Sequence, residues 1–166
     1  MPQPYSLIEL QQCITQAPVT WRPLVFTNGC FDLLHVGHVR YLQAARALGQ
    51  RLVVGLNSDR SVAQLKPQAL GYPTRPLIPS GQRAELLLAL TAVDAVVVFE
   101  ERTATPLLEA LKPDIYAKGG DYSPETLPEY ATVAAYGGRV EFIKIEIPTS
   151  TSGLIEKILQ AGRGTI

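Results

Sequence analysis

Neither sign of charge is in excess. Fifteen Lys+Arg balance fifteen Asp+Glu, so the formal net charge is zero with neutral histidines. The long-range attraction that gathers basic proteins on nucleic acid or anionic membrane is therefore missing, although a local positive pocket is still allowed. Long apolar runs are missing too: none approaches the ~20 residues needed to span a bilayer. The start, MPQPYSLIEL, has neither the basic segment nor the apolar core of a secretory leader. Cysteine is limited to Cys13 and Cys30, too few for a disulfide framework or a zinc set. A reducing cytoplasm is the expected compartment. Histidine is equally scarce, and both copies, His35 and His38, stand three residues apart.

Apolar residues are abundant. They make up 46% of the 166 residues, enough for a substantial core at this length. The length suits one domain over 1–166, with residues 1–22 as an N-terminal helical extension. Five apolar runs read as buried strands: Pro23–Gly29, Arg51–Asp59, Asp94–Glu100, Asp114–Gly120 and Arg139–Ile147. Helical stretches alternate with them. Val39, Leu42, Ala45 and Leu48 form one apolar stripe, with Gly49 as its stop. Ser80 is placed to cap QRAELLLAL, and Thr105-Pro106 and Ser123-Pro124 each pair a cap with a proline in the first turn. Ser6 and Glu9 have capping-box spacing. Residues 67–79 hold four prolines and a glycine, and read as an exposed loop.

Strands alternating with helices predict an α/β fold, a five-stranded parallel sheet covered on both faces. On such sheets ligands bind beyond the carboxyl ends of the strands, where strand order reverses. Thr27 to His38, Asn57-Ser58-Asp59, Lys118 to Tyr122 and Thr149 to Ser152 each follow a strand or end at a helix start. They fall on the same edge and make one candidate site.

The stretch FTNGCFDLLHVGHVRYL, Phe26 to Leu42, is the most informative. Gly29 permits a sharp turn, and Gly37 lets a ligand approach the helix start. The first turn of a helix offers unpaired N–H groups and the positive dipole end, which suit phosphate. His35 and His38 share a face at i, i+3 and can donate to phosphate oxygens. An ordinary pair of surface or core-edge histidines fits the same four residues. As metal ligands they lack a third His or Cys, so carboxylates would have to complete the set.

GCFDLLHVGH resembles the G-x-F-D-x-x-H-x-G-H signature of the cytidylyltransferase-like nucleotidyltransferases. The likeness runs from Leu24 to Leu159 through VGLNSD, RPLIPSGQRAELLLAL, VDAVVVFEE, KPDIYAKGGDY and TSTSGLIEKI. It implies a Rossmann-like three-layer α/β/α fold and transfer of a nucleoside monophosphate to a phosphorylated small molecule. Within that superfamily the chain is most similar to the D-glycero-β-D-manno-heptose 1-phosphate adenylyltransferases, often found as half of bifunctional ADP-heptose synthases. No sugar-kinase half accompanies it in these residues, so the resemblance implies a stand-alone version, with a homodimer as the family's usual assembly.

The resemblance also implies roles. His35 and His38 would hold the α- and β-phosphates and stabilise the transition state. Lys66 would bind phosphate, unless it is merely a solvated loop lysine. Cys30 and Phe31 would offer backbone contacts to the nucleotide, beside Gly37. Lys118, Gly120 and Asp121 would border the nucleoside, or Gly119-Gly120 is only a turn. Ser150, Thr151 and Ser152 would take the outer phosphates, although a helix cap needs just one of them. Arg83 would meet the acceptor phosphate. Asp32 would lie close to the reacting phosphates on the acceptor side, unless it organises its own loop as an Asx turn. ATP would come with Mg2+ held mostly by phosphates and water. The expected partners are ATP and a sugar phosphate, without nucleic acid or membrane.

Three features depart from the relatives. Pro67 follows Lys66 and the loop after it is longer; Ser152 stands for threonine; and Ile145 to Pro148 lacks the arginine that glycerol-phosphate cytidylyltransferases carry there. The last favours the heptose branch. A CTP-dependent enzyme acting on glycerol 3-phosphate or another phosphorylated alcohol is the second reading, and a non-catalytic nucleotide-binding regulator the third.

Overall fold

A computed structural model of the chain describes residues 3–120, 123–144 and 149–163. These form five strands and eight helices in the order α1 (Leu7–Gln16), α2 (Pro18–Trp21), β1 (Leu24–Gly29), α3 (Val36–Arg46), β2 (Arg51–Asn57), α4 (Asp59–Leu65), α5 (Ser80–Leu88), β3 (Ala95–Phe99), α6 (Thr105–Leu111), β4 (Ile115–Gly119), α7 (Tyr130–Ala135), β5 (Arg139–Ile143) and α8 (Thr151–Arg163). All strand pairings are parallel, in the order β3-β2-β1-β4-β5.

Each strand feeds two cores, because successive side chains point to opposite faces. Phe26, Val53, Val97 and Tyr116 join Leu10, Leu108 and Val133, from α1, α6 and α7, on one face. Val25, Val54, Val96 and Ile115 join Leu42, Ala45, Ala84 and Leu87, from α3 and α5, on the other. The result is the expected three-layer Rossmann-like α/β/α arrangement. A fully buried leucine such as Leu10 or Leu108 contributes about 1.5–3 kcal/mol.

The N-terminal segment is tied into this body. Ser6 and Glu9 form the expected capping box, and Tyr5 N–H donates to Val96 O at 2.9 Å. Other boundaries shift. α3 begins three residues before Val39, because His35 serves as its N-cap residue. Pro79, not Ser80, precedes α5; Ser80 N–H is instead taken by Asp59 Oδ1 at 2.7 Å. Thr105 is inside α6, with Ala104 ahead of it. Ser123-Pro124 opens only a single turn, closed by Leu127 N–H to Ser123 O, and α7 starts at Tyr130.

The two edges of the sheet are built differently. At the amino edge, Asp114 accepts from Leu24 N–H and Arg22, and Asp94 accepts from Leu52 N–H, Arg46 and Arg51. These carboxylates clamp strand starts together. The chain runs outward from β1 to β3, then returns to β4 on the other side of β1. The strand order therefore reverses between β1 and β4, and the carboxyl edge there is open.

Candidate active site

Beyond β1 the chain turns through Gly29 and Cys30 into Phe31, whose φ of 44° lies in the left-handed region. A bulky residue there costs on the order of 1–3 kcal/mol and persists only where surroundings hold it. The surroundings are visible. The Phe31 ring is buried, sits 5.3 Å from the His38 ring, and lies so close over Gly29 that a Cβ on residue 29 would meet it at 2.9 Å. The turn thus sets a platform under the histidines.

His35 has extended backbone, and among the described residues no side chain caps α3. His38 N–H turns back to His35 O at 2.9 Å, which leaves the amides of Val36 and the buried Gly37 in the first turn of α3 for a ligand. The two imidazoles stack with centroids 3.9 Å apart and planes 29° from parallel. Nδ1 of each is buried without a hydrogen-bond partner among the described residues, which leaves Nε2 as the nitrogen a ligand reaches. Burial lowers the pKa of His35; burial and then the neighbouring His35 lower that of His38 to about 4. Both rings are neutral in the free protein at neutral pH. Two adjacent unpaired buried nitrogens cost stability, a cost expected where a surface is shaped for binding.

Two expectations are corrected. Arg83 does not face the site: its side chain is 0% exposed. Nε donates to Ile78 O at 2.8 Å, Nη1 to Cys30 O, and Nη2 to Asp59 Oδ1 at 2.8 Å. Its fork is spent on holding Cys30 and the approach to α5, so it is not an acceptor ligand. Asp32 is equally committed. Its fully buried carboxylate accepts from Leu77 N–H (2.8 Å), Ile78 N–H (2.9 Å) and Arg75. It organises a loop, as the alternative reading held, but the distant loop before α5 rather than its own turn.

Ser150 Oγ accepts from Gly153 N–H at 3.1 Å and is the N-cap of α8. Its own O–H has no acceptor among the described residues, so capping and phosphate binding are compatible. Thr151 Oγ1 donates to Leu33 O at 3.4 Å, bringing the start of α8 against the histidine loop. Ser152 borders a neighbouring groove under residues 67–75, which Lys66 shares. Asp121, and the stretch Ile145 to Pro148, lie outside the described residues.

A cavity of about 350 Å³ opens at the β1/β4 reversal, lined by Gly29, Cys30, Lys66, Lys118 and Gly119 among others. Lys66 ends α4 and is exposed; among the described residues no carboxylate pairs with it. Lys118 is buried beneath, its Nζ 2.9 Å from both Asn28 Oδ1 and Tyr116 Oη. Burial lowers its pKa, opposed by the charge of Glu129. Burial also raises the Cys30 thiol, so it stays protonated at neutral pH. Gly120, with φ of 102°, takes the chain out of β4 through a conformation that favours glycine.

Asn28, Asn57, Arg102 and Glu129 also line the cavity. Arg102 follows β3, and the rule that placed the other clusters at strand ends would have found it. Glu129 has no such signal, since it arrives from the long connection between β4 and α7. Among the described residues no three His, Cys, Asp or Glu side chains converge as a metal site, and no helix is long and apolar enough to cross a membrane.

The sequence from 26 to 157 matches the cytidylyltransferase-like family. The chain is 55% identical over 138 residues to the bifunctional protein HldE of Syntrophotalea carbinolica, covering 83% of this chain and 27% of that protein. It is 51% identical over 151 residues to the bifunctional protein HldE of Trichlorobacter lovleyi, covering 91% and 30%. The chain thus spans under a third of the length of these relatives. Among solved structures, the lipopolysaccharide core biosynthesis protein of Thermoplasma volcanium is 27% identical with a TM-score of 0.59, covering 75% of this chain and 97% of that one. Pantothenate synthetase of Thermus thermophilus, 13% identical with a TM-score of 0.55 over 87% of this chain and 62% of that one, shares the fold.

Proposed function

The chain belongs to the cytidylyltransferase-like family, and on that premise we propose that it transfers AMP from ATP to D-glycero-β-D-manno-heptose 1-phosphate, releasing pyrophosphate. The observation that carries this reading is the stacked His35/His38 pair in the uncapped first turn of α3, beside a cation-lined cavity at the strand reversal. Relatives named HldE and a structural neighbour named for lipopolysaccharide core biosynthesis support a sugar-phosphate acceptor.

In this reading an acceptor phosphate oxygen attacks the α-phosphorus in line. A new P–O bond forms, the bond to the β-phosphate bridging oxygen breaks, and pyrophosphate leaves with the electron pair. The acceptor oxygen is already ionised at neutral pH, so no general base is needed. The work is positioning and charge stabilisation. His35 and His38 donate through Nε2–H to oxygens of the α- and β-phosphates, and the α3 amides add to this. The hydroxyls of Ser150, Thr151 and Ser152 hold the outer phosphates, and Lys66, which lines both the groove beside Ser152 and the cavity, supplies positive charge between the two. Mg2+ would come with ATP and supply charge neutralisation on the triphosphate, held mostly by phosphate and water oxygens.

Thr151→Ala supplies one check. A lost hydrogen bond to a charged oxygen weakens binding by about tenfold or more. ATP affinity should fall by that factor while AMP, lacking the outer phosphates, binds almost as before. Equal losses in calorimetry would reduce Thr151 to a structural tie to Leu33.

The whole reading is tested by pyrophosphate release with ATP or CTP, each with heptose 1-phosphate or glycerol 3-phosphate. ATP with the heptose should win by orders of magnitude, because a site that pairs with substrate hydroxyls rejects an analogue lacking them. A preference for CTP with glycerol 3-phosphate would overturn the assignment. Nucleotide binding with no turnover of any acceptor would point to a regulator.

A further inference from the structure

The walls of the β1/β4 cavity have a fixed hydrogen-bonding polarity, and one element of it is unexpected in an anion site. Lysine ammonium can only donate, so the Asn28 atom 2.9 Å from Lys118 Nζ is its oxygen. Tyr116 O–H donates to the same oxygen at 2.6 Å. The amide is thus locked, and Asn28 Nδ2 is the atom left for a ligand. Asn57 is locked the opposite way. Its Nδ2 donates to Ser61 Oγ at 2.9 Å, and Ser61 passes its own proton to Glu101 O, so Asn57 Oδ1 is left over.

Glu129 is the unexpected element. It is 4% exposed, and Oε1 accepts from Ala104 N–H at 3.2 Å. Oε2 makes no hydrogen bond among the described residues, and Glu129 lines the cavity. A buried carboxylate is costly, and beside a bound phosphate it is repulsive. Besides its charge, which opposes the lowered pKa of Lys118, it can only accept from a ligand, so it suits one that brings hydrogen-bond donors, as sugar hydroxyls do. The cations Lys66 and Arg102 line the same space and suit a phosphate.

We propose that Glu129 is a specificity-determining residue: its free oxygen accepts from hydroxyls of a polyhydroxylated phosphate held in this cavity, with Asn28 Nδ2 and Asn57 Oδ1 reading neighbouring hydroxyls. The proposal rests on the nucleotidyltransferase reading above and assigns the acceptor end of that site.

The test is Glu129→Gln, which keeps volume and an oxygen for Ala104 N–H but turns the free acceptor into a donor. ATP affinity should stay within about twofold. For heptose 1-phosphate, kcat/KM should fall about 10–100-fold, the size of a hydrogen bond to a charged group. Analogues with single hydroxyls removed complete a cycle: one deoxy position should cost about as much in the wild type and little in the variant. An equal loss for every acceptor, or none, would overturn the proposal and leave Glu129 as a counter-charge for Lys118. If the variant does not fold, the wild-type deoxy series decides alone, and no position costing more than a few-fold overturns it. Should the wild type prefer CTP and glycerol 3-phosphate, the heptose assignment falls while glycerol's own hydroxyls serve as the Glu129 probe. No acceptor-dependent pyrophosphate release with any polyol phosphate overturns both.

Discussion

Replacing His38 with alanine should lower kcat by about 10²-fold or more, with KM for either substrate changing far less. Removal of one preorganised donor aimed at developing charge typically costs ~10²–10³ in rate, and an interaction made mainly in the transition state shows in kcat. His38 is suited to this because its ring is fixed from two sides, by the His35 stack and the Phe31 edge. His35→Ala should behave similarly and also release its partner ring. Near-normal turnover in a folded variant would remove the pair from the mechanism. The pKa supplies an independent control. His38 titrates at about 4 in the folded protein, below its ordinary value near 6.5. Between those values the unfolded chain binds the extra proton, so stability is fully present above pH ~6.5 and is lost as pH falls toward 4, with a slope that solvent screening of the half-buried ring keeps below that of a full proton. Chemical denaturation across that window should show a shallower slope in His38→Ala.

Much of this was legible in the sequence, for identifiable reasons. A strand buried on both faces must be apolar at nearly every position, so the five strands were visible as runs such as LVVGL and AVVVF. Motif residues tied to a strand end, such as His35 and Lys118, were placed by topology alone. Side-chain direction was not legible. Arg83 and Asp32 are charged residues in family motifs, and charge suggests a ligand. In the fold, backbone carbonyls and amides from residues 30 and 77–78 consume them, a pairing set by distant parts of the chain. Helix starts failed for a related reason. Ser80 looks like a cap, yet the carboxylate of Asp59 takes its amide from a different element. Ser123-Pro124 has the local signal for a helix, but Ser123 N–H pairs with Thr126 Oγ1 and the turn ends there. Glu129 illustrates the remaining gap: its significance depends on a cavity that four strand ends enclose.

Arg83→Met should therefore destabilise the protein substantially, and this separates a structural arginine from a phosphate ligand. The guanidinium supplies Ile78 O, Cys30 O and Asp59 Oδ1 at once. Methionine fills much of the space but leaves two carbonyls of the site's framework without their donor, at about 1–3 kcal/mol for each that stays buried. Asp59 is half exposed, so water recovers part of its loss. A total of about 2–5 kcal/mol lowers Tm by on the order of 10 °C at this chain length. Arg83→Lys is the sharper variant. It preserves charge, which would satisfy a phosphate, but a single ammonium cannot span three acceptors held by a planar fork. Thermal melts should show the lysine variant nearly as damaged as methionine. Below its melting point, its acceptor KM should stay near the wild-type value, while kcat falls because Cys30 and the turn carrying Phe31 and the histidines have lost their anchor. A lysine variant with wild-type Tm and rescued acceptor KM would return Arg83 to the binding site.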